Sequence, residues 1–205
     1  MGILVQVPSE VLIRQDSWRL PDPRVIQRSE FTRRSRELYL GAAAIWSCEA
    51  EIVTRTAAEL YPVRGFVASM MLPDAFCVVP MYPAGGQLTG FPGQISTPVQ
   101  VDGAGQLGLD LAVRGLPPGS AQALPGFAVT FGSVETHILR ATLIADGTGR
   151  GVCGLTRPIR QSPPDGTDVH LRFPFCFMRL TNGLAWQNAV YQLHEIPPLQ
   201  FEEYF

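Results

Sequence analysis

Between Pro125 and Pro174 the chain reads PGFAVTFGSVETHILRATLIADGTGRGVCGLTRPIRQSPPDGTDVHLRFP, three or four short strand-like runs separated by glycine turns. FAVTF and the run from Val134 to Ile144 are rich in β-branched and aromatic residues, which fit a pleated, half-buried surface. Asp146-Gly147-Thr148-Gly149 and Pro163-Pro164-Asp165-Gly166 supply glycines where a reversing chain needs positive φ. In VHLRF, Val169, Leu171 and Phe173 fall on one face and His170 and Arg172 on the other, the period of a strand. The segment predicts a small antiparallel barrel or sandwich, and it is a folding signal without chemistry in it.

The same reading extends to the rest of the 205 residues, a length that suits one large or two small domains. Asp16 to Arg28 is punctuated by proline and reads as an extended arm. Ser29 to Val53 reads as two strands turning near Gly41-Ala42, the second with Trp46, Cys48, Ala50 and Ile52 on one face and Ser47, Glu49 and Glu51 on the other. Leu60, Val63, Val67, Met70 and Met71 recur at near-helical intervals, predicting one helix from about Tyr61 to Met71 with Thr56 as a cap and Pro62 in its first turn. Ala75 to Val101 holds four prolines, four glycines and no charge, and reads as a connection pressed against a neighbouring chain. FCFMRL, the turn Thr181-Asn182-Gly183 and VYQLHEI read as a hairpin that rejoins the front of the chain. The expected architecture is mainly β. Residues 1–84 and 173–205 form a discontinuous split-barrel or sandwich domain with one short helix, and residues 85–172 form an inserted β-barrel-like domain.

Sites of chemistry leave few local marks. Cys48, Cys77, Cys153 and Cys176 are too far apart for a CxxC pair, and three of them sit in apolar strand-like text, as buried free thiols do, although disulfides stay open. There is no GxSxG elbow, phosphate loop, strand-to-helix GxGxxG or HExxH, and GAGQLGLD from Gly103 reads as a turn. His137, His170 and His194 each lie in a strand pattern, Asp146 and Asp165 are turn residues, and Trp18, Trp46 and Trp186 read as core or interface. This pattern assigns no catalytic, cofactor-binding or metal-binding residue and no enzymatic activity. No run approaches the roughly 18 apolar residues of a membrane span, and MGILVQVPSEVLIR lacks an export signal's basic start, so a soluble chain without membrane insertion is expected.

Charge supplies the remaining information. All sixteen cations are arginine, whose planar, weakly hydrated guanidinium suits interfacial carboxylate pairs. Seven of them lie between Arg14 and Arg36 against three acids, whereas the last 26 residues carry Glu195, Glu202 and Glu203 and one of the three histidines but no arginine. A sequence pI of 5.9 argues against direct nucleic-acid recognition. Pairing of the basic front with the acidic tail, within a subunit or across a ring of identical subunits, makes Arg24, Arg28, Arg33, Arg34, Arg36, Glu195, Glu202 and Glu203 the candidate subunit-interface residues.

WRLPDPRVIQRSEFTRRSR, RGFVASMMLPDAF, LPGFAVTFGSVETHIL, ADGTGR, LTRPIRQSPPDGTDVHLR, FMRLTN and VYQLHEIPP, taken in this order, resemble the distal tail or minor tail proteins of long-tailed bacterial viruses. The resemblance implies a virion structural protein of the tail tip, assembled in the host cytoplasm. Its split-barrel front domain would close a homo-oligomeric ring, most often a hexamer, between the tail tube protein and the hub or baseplate proteins. The uncharged Ala75 to Val101 segment and the tail from Pro197 to Phe205 depart from the family's usual look. The alternative expectation is a sugar- or receptor-binding β module of a virus particle.

Overall fold

The computed structural model describes every residue except 1, 9–11, 22–23, 29, 31, 40–44, 54–56, 83–97, 120, 133–134, 184–196 and 205. Its elements in chain order begin with β1 (Ile3–Leu4), β2 (Leu12–Arg19), β3 (Arg24–Arg28), β4 (Ser35–Tyr39), β5 (Ser47–Val53), α1 (Ala57–Met70) and β6 (Ala75–Pro80). There follow β7 (Val99–Val101), β8 (Gly108–Arg114), β9 (Ala121–Ala123), β10 (Ala128–Phe131), β11 (Glu135–Ile138) and β12 (Leu143–Ile144). The last are β13 (Arg150–Ile159), β14 (Asp168–His170), β15 (Phe175–Leu180) and β16 (Leu199–Glu203). The protein is therefore mainly β, and among the described residues no helix is long and apolar enough to cross a membrane.

Two units partition these elements. The first comprises Met1–Asp22, Ala43–Val79 and Phe177–Phe205, and the second Pro23–Ala42 and Pro80–Cys176. Set beside the expected bounds, the main difference is that Pro23–Ala42 groups with the second unit.

In the first unit a six-stranded sheet runs in the order β1-β6-β15-β16-β5-β2. The alternation expected in β5 is present: Trp46, Cys48, Ala50 and Ile52 are buried, and Glu49 between them is exposed. β6 buries Ala75, Cys77 and Val79, and β16 buries Leu199, Phe201 and Glu203 on one face. Helix α1 buries Leu60, Val63, Phe66, Val67 and Met70, spaced as one apolar stripe. It begins four residues before the expected start, so Pro62 lies in its second turn, where the ring removes the hydrogen bond to the carbonyl four residues earlier.

In the second unit β8 and β13 form the longest pairing, from Arg150↔Arg114 to Ile159↔Gly108, with a register shift between Gly154 and Ile159. Across that shift β13 advances five positions against two of β8, a bulge of the kind found at barrel corners, and within it Leu155 bridges to Leu139. The strand order is β11-β10-β14-β7-β8-β13. The two end strands are joined by the Leu139↔Leu155 bridge and by Arg140 N donating to Gly154 O at 2.8 Å, so the sheet nearly closes into the expected barrel. Leu111, Val113, Val129, Phe131, Leu155 and Val169 fill it.

Several local expectations are corrected. Asp16 to Arg28 is no free arm: its first part belongs to β2, paired with β5, and its end is β3, paired with β4. β4 therefore does not form a hairpin with β5; residues 41–42, where that turn was expected, lie outside the described residues. The ends of the Ala75 to Val101 segment are core strands, β6 and β7, and burial accounts for their lack of charge. The residues from Pro197 onward are no appendage, because β16 lies between β15 and β5. Phe173 follows the end of β14 and is exposed, while Val169 and Leu171 are buried as expected. The return strand VYQLHEI lies outside the described residues.

At the ADGTGR turn only Gly149 has positive φ, 78°, whereas Gly147 does not. A Cβ on Gly149 would stand 2.5 Å from Leu116 O, and Leu116 N donates to Gly149 O at 3.0 Å. Gly149→Ala is expected to destabilise the second unit by about 2–4 kcal/mol, from left-handed strain plus a backbone clash that a methyl group cannot avoid. Chemical denaturation of the variant beside Gly147→Ala, expected to cost less than about 1 kcal/mol, checks this.

Candidate assembly surface

The arginine-rich stretch folds into a two-stranded antiparallel ribbon, β3 with β4, in register from Arg24↔Tyr39 to Arg28↔Ser35. It is a sheet of its own, so both of its outer edges present backbone N–H and C=O groups that no third strand takes up among the described residues. Arg28, Arg33, Arg34 and Arg36 are exposed, and none of their guanidinium groups has an ion-pair partner among the described residues. Arg28 and Arg33 share a shallow recess with Glu30 and Ser35. The side chain of Arg24 lies outside the described set.

Residues 23–42 carry five arginines and two glutamates, a net charge of +3, in a chain whose total is −2; the remainder is therefore −5. Arg33 itself has φ 53°, in the left-handed region. A non-glycine side chain there costs on the order of 1 kcal/mol, so the ribbon tip keeps an arginine where glycine or asparagine would fit without strain.

The acidic candidates have other surroundings. Glu202 Oε1 accepts from Arg179 Nη2 at 2.9 Å across the β15–β16 pair. Glu203 is 1% exposed, and its Oε2 accepts from Trp46 N at 2.9 Å. Both carboxylates are thus engaged within the chain, and Glu203 is part of the core. Glu195 lies outside the described residues, as do His194 and Trp186. The expected pairing of basic front with acidic tail missed this because consecutive glutamates in a strand point to opposite faces.

The first unit's sheet also has a polar face. Register places Ser17, Glu49 and Gln200 in one row and Arg19, Ser47, Glu202 and Arg179 in the next. The rows border a depression of about 440 Å³. Glu49 is exposed and has no hydrogen bond or ion pair among the described residues. The alternation of Ser47, Glu49 and Glu51 was visible in the sequence, but its cross-strand neighbours were not.

The second unit carries a buried polar cluster. Glu135, 4% exposed, accepts from Gln161 N at 2.7 Å and Arg160 N at 3.0 Å, and its Oε2 lies 2.9 Å from His137 Nε2. Burial pushes the Glu135 carboxyl up, but the hydrogen bond to His137 and the two backbone amides outweigh it and hold it below the usual glutamate value. His137 is fully buried and stacks on Phe131 with ring centroids 5.1 Å apart. Glu135 borders a depression of about 470 Å³ with Pro163, Pro164 and Thr167, yet its oxygens face the amides of the 160–161 turn. Its chemistry is that of an anchor for that turn.

The four cysteines are free and buried, and burial, the leading cause, raises the Cys48, Cys77 and Cys153 thiols to about 12, far from thiolate reactivity. Among the described residues no three His, Cys, Asp or Glu side chains are grouped to hold a metal ion. Trp46 is buried with Trp18 edge-on to it at 6.2 Å, which removes Trp46 from any sugar-stacking surface. No protein-family model matches this chain, and no curated protein matches it in sequence.

Proposed function

We propose that this chain is a structural subunit of the tail tip of a long-tailed bacterial virus, a distal tail protein. Its copies close a ring, six by family analogy, between the tail tube and the hub or baseplate. The order of residue motifs from WRLPDPRVIQRSEFTRRSR to VYQLHEIPP supports the reading, as does a mainly β chain whose two units are each built from discontinuous segments of sequence.

The observation that carries it furthest is the β3–β4 ribbon, a two-stranded sheet with open edges and four exposed arginines on a chain otherwise net acidic. An isolated two-stranded ribbon is marginal in water, and a covering surface on another subunit would stabilise it. A ring needs heterologous contacts, one surface meeting a different surface of the next copy, and segregated charge provides two such surfaces.

Native mass spectrometry and sedimentation of the purified chain are expected to show a closed oligomer in equilibrium with monomer. A strict monomer at every accessible concentration overturns the proposal. Arg33→Ala with Arg34→Ala is expected to weaken assembly about tenfold or more while leaving circular dichroism and the unfolding midpoint unchanged. The assembly should also weaken as ionic strength rises, since exposed charges are screened over about 10 Å at 0.1 M salt.

A further inference from the structure

We infer that the surface receiving the ribbon tip is the polar depression on the six-stranded sheet of a second copy, with Glu49 as the carboxylate that meets Arg33 or Arg34. The inference rests on the ring reading above and departs from it in naming the acceptor, which is not the acidic tail.

Asp102 is held by Arg114 and Arg150, Asp110 by Arg140, and Asp165 by Arg114 and Gly103 N. Asp146 accepts from the backbone of Thr148 and Arg150 inside its own turn. Asp16 takes the Trp18 indole, Asp168 the Gln100 amide, Glu202 the Arg179 guanidinium and Glu203 the Trp46 amide. Glu135 is spent on its turn, and Glu51 and Glu59 also have partners. Outside the ribbon this leaves Glu49 and Asp74 as described carboxylates without a hydrogen-bond or ion-pair partner. Asp74 sits in a left-handed turn, φ 57°, whereas Glu49 stands on β5, paired with β2 on one side and β16 on the other.

The setting of Glu49 suits a guanidinium. Five N–H donors in a planar fork need several acceptors in one plane. The row Ser17–Glu49–Gln200 offers a hydroxyl, a carboxylate and an amide oxygen side by side on three adjacent strands. Strand-borne groups hold such spacing better than a loop does. Glu202 on the next row is already neutralised by Arg179, which leaves Glu49 as the unpaired carboxylate of these two rows. On the donor side, Arg33 keeps its side chain at a position whose backbone favours glycine, which is accounted for if the guanidinium is needed at the tip.

Charge reversal tests this. Wild-type chain, Glu49→Arg, the double variant Arg33→Glu with Arg34→Glu, and the triple combination are compared by sedimentation, with circular dichroism as the folding control. The expected result is at least about tenfold weaker assembly in the first two variants and recovery in the triple. If Glu49→Arg disturbs folding, Glu49→Gln is read instead, with a severalfold loss expected. A wild-type chain that assembles while Glu49→Arg assembles equally well, or a triple variant without recovery, overturns the inference and leaves the ring reading standing. A wild-type chain that never assembles removes the ring reading itself. Retention of the wild type on a DNA duplex at physiological salt, lost in the arginine variant with no change in assembly, would assign the ribbon to a polyanion and also overturn it.

Discussion

Replacing Glu135 with alanine is expected to destabilise the second unit by about 3–5 kcal/mol, the range for removing one partner from a buried charged network. Glu135 is only 4% exposed, and its carboxylate serves the amides of Arg160 and Gln161 and stands beside the fully buried His137. Its loss leaves buried donors unsatisfied, each costing about 1–3 kcal/mol. Glu135→Gln retains the shape but can face only part of this donor set with its oxygen, and is expected to cost less. Hydrogen exchange at β11 and β13 amides reports this unit directly. Fluorescence from Trp18 and Trp46 does not, since both belong to the first unit. A pH dependence accompanies the loss. Because the folded carboxyl titrates below its unfolded value of about 4.3, its stabilisation is complete above that pH and disappears as pH falls through the folded value. Glu135→Gln should flatten this acid limb, and an unchanged acid limb would show that other carboxylates govern it.

Glu203→Ala is expected to lower the stability of the first unit by about 2–4 kcal/mol, with Glu202→Ala within about 1 kcal/mol of wild type. The adjacent residues differ by strand face. Glu203 lies with Leu199 and Phe201 on the buried side and accepts the Trp46 amide, whereas Glu202 meets Arg179 on the solvated side. Trp46 fluorescence during denaturation measures both. Were the glutamates acting as an acidic tail patch, the two substitutions would instead affect assembly alike and stability not at all.

The contrast between these neighbours shows what could be read from the residues. Glu202-Glu203 looked like a patch because charge was counted along the chain; the strand's period of two and the position of β16 between β15 and β5 separate them. The alternation in β5, the apolar stripe of α1 and the Gly166 turn, with φ 77°, were legible because each depends on neighbours within one or two turns of chain. Asp16 to Arg28 reads locally as an arm because prolines and arginines suggest exposure, and nothing local reveals that β2 finds β5 about thirty residues on, pairing Trp18 with Cys48. The Glu135 anchor was invisible for the same reason: its partners at Arg160 and Gln161 lie 25 and 26 positions away.

Composition and periodicity determined that this chain is β-rich, that its thiols are buried, and that its positive charge is concentrated near the front, all properties set by side-chain type and short-range spacing. Only the tertiary structure decided which carboxylates are consumed in the core, which strand ends meet to close the barrel, and that Glu49 faces solvent among Ser17 and Gln200. Those outcomes depend on long-range strand pairing, where a register shift of one residue would exchange the buried and exposed faces, and no local pattern encodes the partner.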